Sequence, residues 1–511
     1  MTFTFTLLQS FGALCLVIII LVFVFRRETK IPRPPGPKPQ PVIGNLHQIP
    51  KEEPYRVYTE WAKKYGPLMS FRVFGQQFVM INTFETAMDL LEKRSNLYSS
   101  RPHSIMGDLV GRDKTILFTK YGATLKECRK IVHSWMNKGA IDNFLPAQEA
   151  SSFRFLAALL DNPDDFSKHI RITLGSAILK LTYGMDCVDK DDPHFTRSEE
   201  FSDITAKTNK PGKWWCDSFP ILAKVPAWVP GAGFQRWAAK SKVIGAQVIQ
   251  APYERIVNSV YTDKPIQSWT LDSLFDTNGG VKTGFDANAL MVAAGSMYTG
   301  GIDTSAVVIK TFFLMMARHP EIQRKAQNEI DAVVGHDRLP NWKDHERLPY
   351  VRQIIDEVLR INPSAPLIPH GIDQDDVYNG YWIPKDSWVV VNNWAIFHDP
   401  QRHRNPEEFR PERFDPNGEN EENLVEFVFG YGRRSCPGYY YAQPSVFLNI
   451  APVLAAFNIS PLKDEHGNLQ VPPLDFDFGH VRMPADFKCC ITPRSLEKIT
   501  LIRNAVASVS N

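Results

Sequence analysis

The sequence predicts a mainly α-helical protein with a minor β-sheet, preceded by one N-terminal transmembrane helix. Three observations carry that expectation. Apolar residues recur with helical spacing along most of the chain, most continuously from Asp286 to Arg318. Strand-forming runs are few and short, the clearest being Trp388-Val389-Val390-Val391, with Gly380-Tyr381-Trp382-Ile383 before it. No charged residue stands between Phe3 and Phe25, and a helix over that segment is ~34 Å long, enough for a bilayer core of ~30 Å.

Composition bounds the rest. Hydrophobic residues at 43% and charged residues at 22% of 511 are globular proportions, which exclude a disordered chain, a collagen and a polytopic membrane protein. Lys+Arg 58 against Asp+Glu 56 leaves a net +2, so no overall field draws the chain to nucleic acid. The cysteine count, 7, is odd. Cys15, Cys128, Cys187, Cys216, Cys436, Cys489 and Cys490 are scattered without paired CxxC motifs, so neither a disulfide framework nor a zinc ribbon is indicated.

Taken in order, residues 1–25 read as a retained membrane anchor. A cleavable signal peptide needs a basic start, a shorter apolar core and a small-residue cleavage site, and none is present. The charges Arg26, Arg27, Glu28 and Lys30 follow the apolar segment, which puts the downstream body in the cytosol. Residues 26–41 read as a basic and proline-rich linker. Pro32, Pro34, Pro35, Pro37, Pro39 and Pro41 favour an extended, semi-rigid spacer. Residues 42–511 contain no second linker, repeat or low-complexity tract, so they read as one domain.

Within that domain, Asp286 suits the N-cap of the long helix, which runs to Arg318. Its middle holds Thr299-Gly300-Gly301-Ile302-Asp303-Thr304-Ser305. Two glycines cost a helix interior roughly 1 kcal/mol each. They point either to close packing against a neighbour or to a helix that opens near a ligand, with an acid and an alcohol at the opening. Further helices are expected over Pro320 to Gly335 and Tyr350 to Ile361, the last stopping before Pro363.

The most informative segment is Phe429-Gly430-Tyr431-Gly432-Arg433-Arg434-Ser435-Cys436-Pro437-Gly438. It lacks the Gly-Lys-Ser/Thr ending of a P-loop and the GxGxxG of a dinucleotide fold. Arg433, Arg434 and a helix starting after Gly438 would favour thiolate at Cys436. A stabilised thiolate suits a nucleophile or a metal ligand, and an axial ligand to haem is the better metal hypothesis.

This segment resembles the haem-binding signature of the cytochrome P450 family, Phe-Gly-x-Gly-x-Arg-x-Cys-x-Gly, at every fixed position. The resemblance implies a P450 fold, haem b as cofactor and Cys436 as the iron's axial ligand. It implies that Arg434 and Arg129 pair with the propionates, that Phe429 packs by the sulfur, and that Gly430, Gly432 and Gly438 let backbone amides approach it. Of four Glu-x-x-Arg pairs, only Glu357/Arg360 lies between the long helix and the cysteine loop on a helix of its own; with Arg413 it is the family's structural network. Gly300-Gly301-Ile302-Asp303-Thr304-Ser305 is similar to the oxygen-activating helix, which implies that Thr304 serves oxygen activation and that Asp303 relays protons. One departure stands out. Fungal members often carry Tyr-Gly-x-x-Trp-Arg where this chain has Tyr121-Gly122-Ala123-Thr124-Leu125-Lys126, so Leu125 replaces a propionate-binding indole, while Arg129 is kept.

The resemblance is to microsomal, fungal members of secondary metabolism. It implies a haem-thiolate monooxygenase that inserts one atom of O2 into a hydrophobic small molecule such as a terpenoid, polyketide or indole. Electrons would come from NADPH through NADPH-cytochrome P450 reductase, with Lys126, Arg129 and Lys130 as a docking face. The chain would be single-pass in the endoplasmic reticulum membrane, its catalytic body in the cytosol. By position, substrate contacts are Met106, Leu117, Phe118, Trp214, Met297, Ala365, Leu367, Ile368 and Val481. A reductase-independent haem-thiolate isomerase or dehydratase, and a non-catalytic haem-binding membrane protein, are the alternatives.

Overall fold

The computed structural model describes residues 31–186, 191–210, 212–276, 280, 282 and 286–510. The anchor, and Cys15 and Cys187, lie outside the described residues. Helix dominates: α1 (Pro54–Tyr65), α2 (Ala123–Trp135), α3 (Ile141–Asp161), α4 (Phe166–Tyr183), α5 (Pro193–Thr208), α6 (Gly233–Ser259), α7 (Ala287–Arg318), α8 (Pro320–Val333), α9 (Pro349–Ile361), α10 (Tyr439–Ala456) and α11 (Leu496–Ser510) are the longer ones. The largest sheet is formed by β1 (Leu68–Val73), β2 (Gln76–Ile81), β3 (Leu367–Gly371) and β4 (Trp388–Asn392), in the order β1-β2-β4-β3. Both strand runs expected from sequence are present, Trp388–Asn392 in this sheet and Tyr381–Ile383 in a hairpin with Asp376–Tyr378.

α7 forms where its cap and apolarity place it. The Asp286 carboxylate accepts from the amides of Asn288 at 3.0 Å and Ala289 at 3.1 Å, satisfying two of the free N–H groups of the first turn. The helix is long and apolar enough to cross a membrane, yet 83% of its most apolar window is buried inside the protein. It is the core helix, packed against α4, α2, α6 and α10. Its C-terminal half joins α3, α4, α8, α9 and α10 in one apolar cluster, and its N-terminal half joins α2, α4 and α6 in another. The expected opening at Gly300-Gly301 is corrected here: α7 runs without interruption from Ala287 to Arg318.

The spacer reading of residues 26–41 is also corrected from Pro32 onward. Trp382 N donates to Pro32 O at 2.8 Å, Ser70 Oγ to Pro34 O at 2.7 Å and Ser70 N to Pro35 O at 2.8 Å. Prolines cannot donate but their carbonyls accept, so the segment serves as a strap on β1. A Cβ on Gly36 would stand 1.8 Å from Ser70 O, which fixes glycine there.

Candidate active site

The cysteine loop is shaped by two short 3-10 turns, Val425–Phe429 and Gly432–Arg434, and by α10 directly after it. Gly430 (φ +86) and Gly432 (φ +51) are left-handed, and a Cβ on Gly432 would meet Leu91 O at 2.2 Å. Cys436 N donates to Phe429 O at 2.7 Å, closing the loop. The Phe429 ring packs edge-on against Tyr439, centroids 4.9 Å apart. Burial raises the Cys436 thiol pKa, while the Gly438 amide and the charge of Arg129 pull it down. The same residue carries accessible surface. A sulfur deep in the protein and yet accessible faces an interior cleft. The expectation that Arg433 and Arg434 favour the thiolate is corrected: Arg433 is exposed and donates to the Tyr121 hydroxyl, and Arg434 is aimed at backbone carbonyls.

Cations converge beside this loop. Arg434 donates to Ser99 O, to Ile116 O at 3.2 Å and to Thr119 O at 2.6 Å. Arg129 donates to Ser435 O at 2.7 Å. Arg101 donates to Leu117 O at 3.1 Å and to Pro369 O. Among the described residues none of the three has an ion pair. Burial, then mutual repulsion, pushes Arg434 down to about 9 and Arg101 to about 10. His370, buried, offers Nδ1 to Tyr98 O at 2.8 Å, and its Nε2 has no partner among the described residues. A guanidinium fork prefers a carboxylate, so this cluster is built for an anion that the described residues do not supply.

α7 forms the facing wall. Gly300 and Thr304, one turn apart, are exposed, whereas Ile302, Asp303 and Ser305 to Ala317 are buried. Nothing lies within 4 Å of a Cβ built on Gly300, so close packing does not account for that glycine. Thr304 Oγ1 donates to Gly300 O at 2.9 Å, and Ser364 Oγ donates to Thr304 O at 3.1 Å. Asp303 turns the other way. It accepts from Ser202 Oγ at 2.6 Å and contacts His480 Nε2 at 2.9 Å. Arg171 Nη2 lies 2.7 Å from its other oxygen, an ion pair whose angle falls outside hydrogen-bond geometry. Burial raises the Asp303 pKa, but the partners, His480 first and then Arg171, outweigh it and hold the carboxyl well below its usual range.

Glu357, Arg360 and Arg413 are fully buried together. Arg360 Nε and Nη2 donate to the Glu357 carboxylate at 2.7 and 2.9 Å, and Arg413 Nε at 3.0 Å. Arg413 Nη1 reaches Glu421 at 2.7 Å, and Arg360 Nη1 reaches Phe397 O at 2.9 Å. Every charge is answered, the condition under which such a network is tolerated.

The positional substrate contacts divide. Phe118, Ala365 and Ile368 are part-exposed, while Met297 and Val481 are buried and Leu117 is exposed. Leu367 is corrected: strand alternation puts it on the other face of the sheet, packed with Tyr58, Met69, Phe71 and Met80. Met106 and Trp214 are corrected too, since they pack with Val110, Cys216 and Ala238 in a separate cluster. Arg101 and His370 were not foreseen. Neither stands in a motif, and a lone histidine in a strand more often belongs to the core.

The residues fit a planar, dianionic metal macrocycle: an accessible sulfur, unanswered cations beside it and an open stripe opposite. The family model for cytochrome P450 matches residues 34–490. Cytochrome P450 monooxygenase 45 of Postia placenta is 39% identical over 89% of this chain and 86% of its own. A cytochrome P450 monooxygenase of Ampulloclitocybe clavipes is 37% identical over 91% of this chain and 87% of its own. The fold is similar to a zebra fish cytochrome P450 solved with abiraterone, at TM-score 0.68 and 24% identity, covering 86% of this chain and all of that one. This chain belongs to the cytochrome P450 family, whose members are haem-thiolate, oxygen-incorporating oxidoreductases.

Proposed function

We propose that the protein is a microsomal monooxygenase that inserts one oxygen atom of O2 into a hydrophobic secondary metabolite. The observation that carries this reading is the accessible Cys436 sulfur beside Arg101, Arg129 and Arg434, none of which has an ion pair among the described residues. When bound, the haem would supply dioxygen activation, and the Cys436 thiolate would hold its iron. The Gly438 amide orients and steadies that sulfur. Arg101, Arg129, Arg434 and His370 would hold the propionates, which would make up for Leu125, whose side chain is buried in the core instead. Thr304 holds a proton at the cleft surface. Asp303, held by Arg171, Ser202 and His480 on the side of α7 away from the cleft, could relay protons toward it from His480, whose ring is partly open to solvent, only if its carboxylate turned to the cleft. Phe118, Ala365, Ile368 and Val481 orient the substrate and exclude water.

Electrons come from NADPH through a membrane-bound reductase. Of the expected docking face Arg129 is corrected, since it turns inward to Ser435 O; Lys126, Lys130 and Arg433 form an exposed basic edge that supports docking, the first and last flanking the Tyr121 ring at 5.4 and 5.5 Å. Seating on the endoplasmic reticulum membrane, body in the cytosol, is supported by residues 3–25 and by an aromatic patch. Trp215 and Phe219 lie 5.7 and 5.4 Å from Phe74, next to exposed Val42, and Ile221 and Trp228 are exposed on the same segment. The test is the reduced carbon monoxide difference spectrum. Cys436→Ser should abolish the thiolate-type Soret shift and NADPH-dependent turnover, whereas Cys128→Ser, Cys489→Ser and Cys490→Ser keep both. A thiolate spectrum retained by Cys436→Ser would move the ligand elsewhere.

A further inference from the structure

Arg112, Arg360, Arg413, Arg434 and Arg482 are the buried arginines among the described residues. A buried guanidinium is tolerated when its charge is answered. Arg360 and Arg413 share Glu357, and Arg482 lies 3.6 Å from Glu53 and donates to the Tyr55 hydroxyl. Arg434 belongs to the cation cluster by Cys436. Arg112 is different. Only 3% exposed, it has among the described residues neither an ion pair nor a partner for its Nε. Nη2 donates to Phe201 O at 3.0 Å, and the guanidinium carbon lies 4.0 Å from the Phe201 ring centroid and 5.9 Å from that of Phe118. Burial pushes the group down to about 9, opposed only in part by Asp303. That carboxylate is already engaged by Arg171, His480 and Ser202.

The segment that carries Arg112 borders the cleft. Arg112 opens the segment whose next residues supply Ile116 O and Thr119 O to Arg434, and whose Ile116 amide donates to Ser296 Oγ on α7 at 2.8 Å. The segment therefore spans from the cysteine loop to the α7 wall, with part-exposed Phe118 beside the guanidinium. Nor does the hydrogen bond explain the arginine, because Phe201 O already accepts from Thr205 Oγ1 at 2.7 Å. What remains unmade is the Nε edge of a planar fork, flanked by two aromatic rings, which is the recognition geometry for a carboxylate on an apolar body.

We propose that Arg112 binds the acidic group of the substrate, so that the substrate of this enzyme is a hydrophobic carboxylic acid. The proposal rests on the monooxygenase reading above and narrows it. It is tested on the haem-loaded full chain with 2-naphthylacetic acid and its methyl ester, binding being read by calorimetry and by the Soret shift. Wild type should bind the acid about tenfold tighter or more, the value of one charge-assisted hydrogen-bonded contact. Arg112→Met should erase that preference and leave ester affinity near wild type. Its ligand-free melting midpoint should be no lower, because an unanswered charge has been removed; a merely structural arginine would lower it. Arg112→Lys, which keeps charge but loses the fork, should keep a reduced preference, and it decides the matter if Arg112→Met does not fold. Equal binding of acid and ester by wild type, or an undiminished preference in either variant, overturns the proposal. A thiolate spectrum with ester binding but no acid preference overturns it alone; absence of the thiolate spectrum in wild type overturns the broader reading.

Discussion

Thr304 and Ser305 are adjacent alcohols with opposite surroundings, Thr304 open on the cleft side of α7 and Ser305 buried. Successive helical residues point ~100° apart, and a helix packed on four sides resists that turn. Ser305 therefore cannot take over the hydroxyl of its neighbour. Thr304→Ala should leave substrate binding and the thiolate spectrum almost unchanged, since neither uses the hydroxyl. The loss should appear in coupling: product per NADPH falls, by up to the ~10²–10⁴-fold that positioned acid–base groups supply, while hydrogen peroxide rises. Ser305→Ala should couple like wild type. Equal coupling in Thr304→Ala and wild type would remove this role from Thr304 and favour a reductase-independent isomerase.

At the scale of the element, α7 shows how much was legible. Asp286, the apolar run and Arg318 define its limits because capping and periodicity are local. The pair Gly300-Gly301 marked the site but not its geometry, because the glycines leave space on one face and do not break the helix. Glu357, Arg360 and Arg413 were legible through the family pattern. Arg101 and His370 were not, since they reach the cleft through contacts hundreds of residues apart, and no local spacing encodes that. The glycines themselves separate packing from space. A Cβ on Gly295 would stand 2.6 Å from Ile249 Cγ2, whereas Gly300 has open room. Gly295→Ala should cost ~1–3 kcal/mol by overpacking, less the ~1 kcal/mol alanine adds to a helix. Gly300→Ala should stabilise by up to ~1 kcal/mol while crowding the substrate. Chemical denaturation of the two variants checks the signs, and a destabilised Gly300→Ala would mean that the glycine is needed for packing after all.

The molecule as a whole is organised about one surface. The proline strap pins the start of the folded body to β1, and Ile43 O, just beyond it, accepts from Phe74 N at 3.3 Å. Phe74 in turn holds Trp215 and Phe219, so the end of the strap adjoins an exposed aromatic patch. Trp228 is 81% exposed, Ile221 68% and Trp215 60%, an arrangement costly in water and favourable at a lipid interface, where aromatic rings settle at headgroup depth. On the membrane seating proposed above, an anchor within residues 1–25 would set residence, and the patch would set the tilt that turns the cleft toward the hydrophobic phase. A chain lacking residues 1–30 should therefore still associate with phosphatidylcholine vesicles. At ~25 cal/mol per Å2 of apolar surface buried, replacing Trp215, Phe219, Ile221 and Trp228 together by serine should weaken that association roughly tenfold or more, with the carbon monoxide spectrum unchanged. Sedimentation of the two truncated proteins with vesicles measures the difference. Equal partitioning would leave the anchor as the sole membrane determinant, and the orientation of the cleft would then have to come from the reductase.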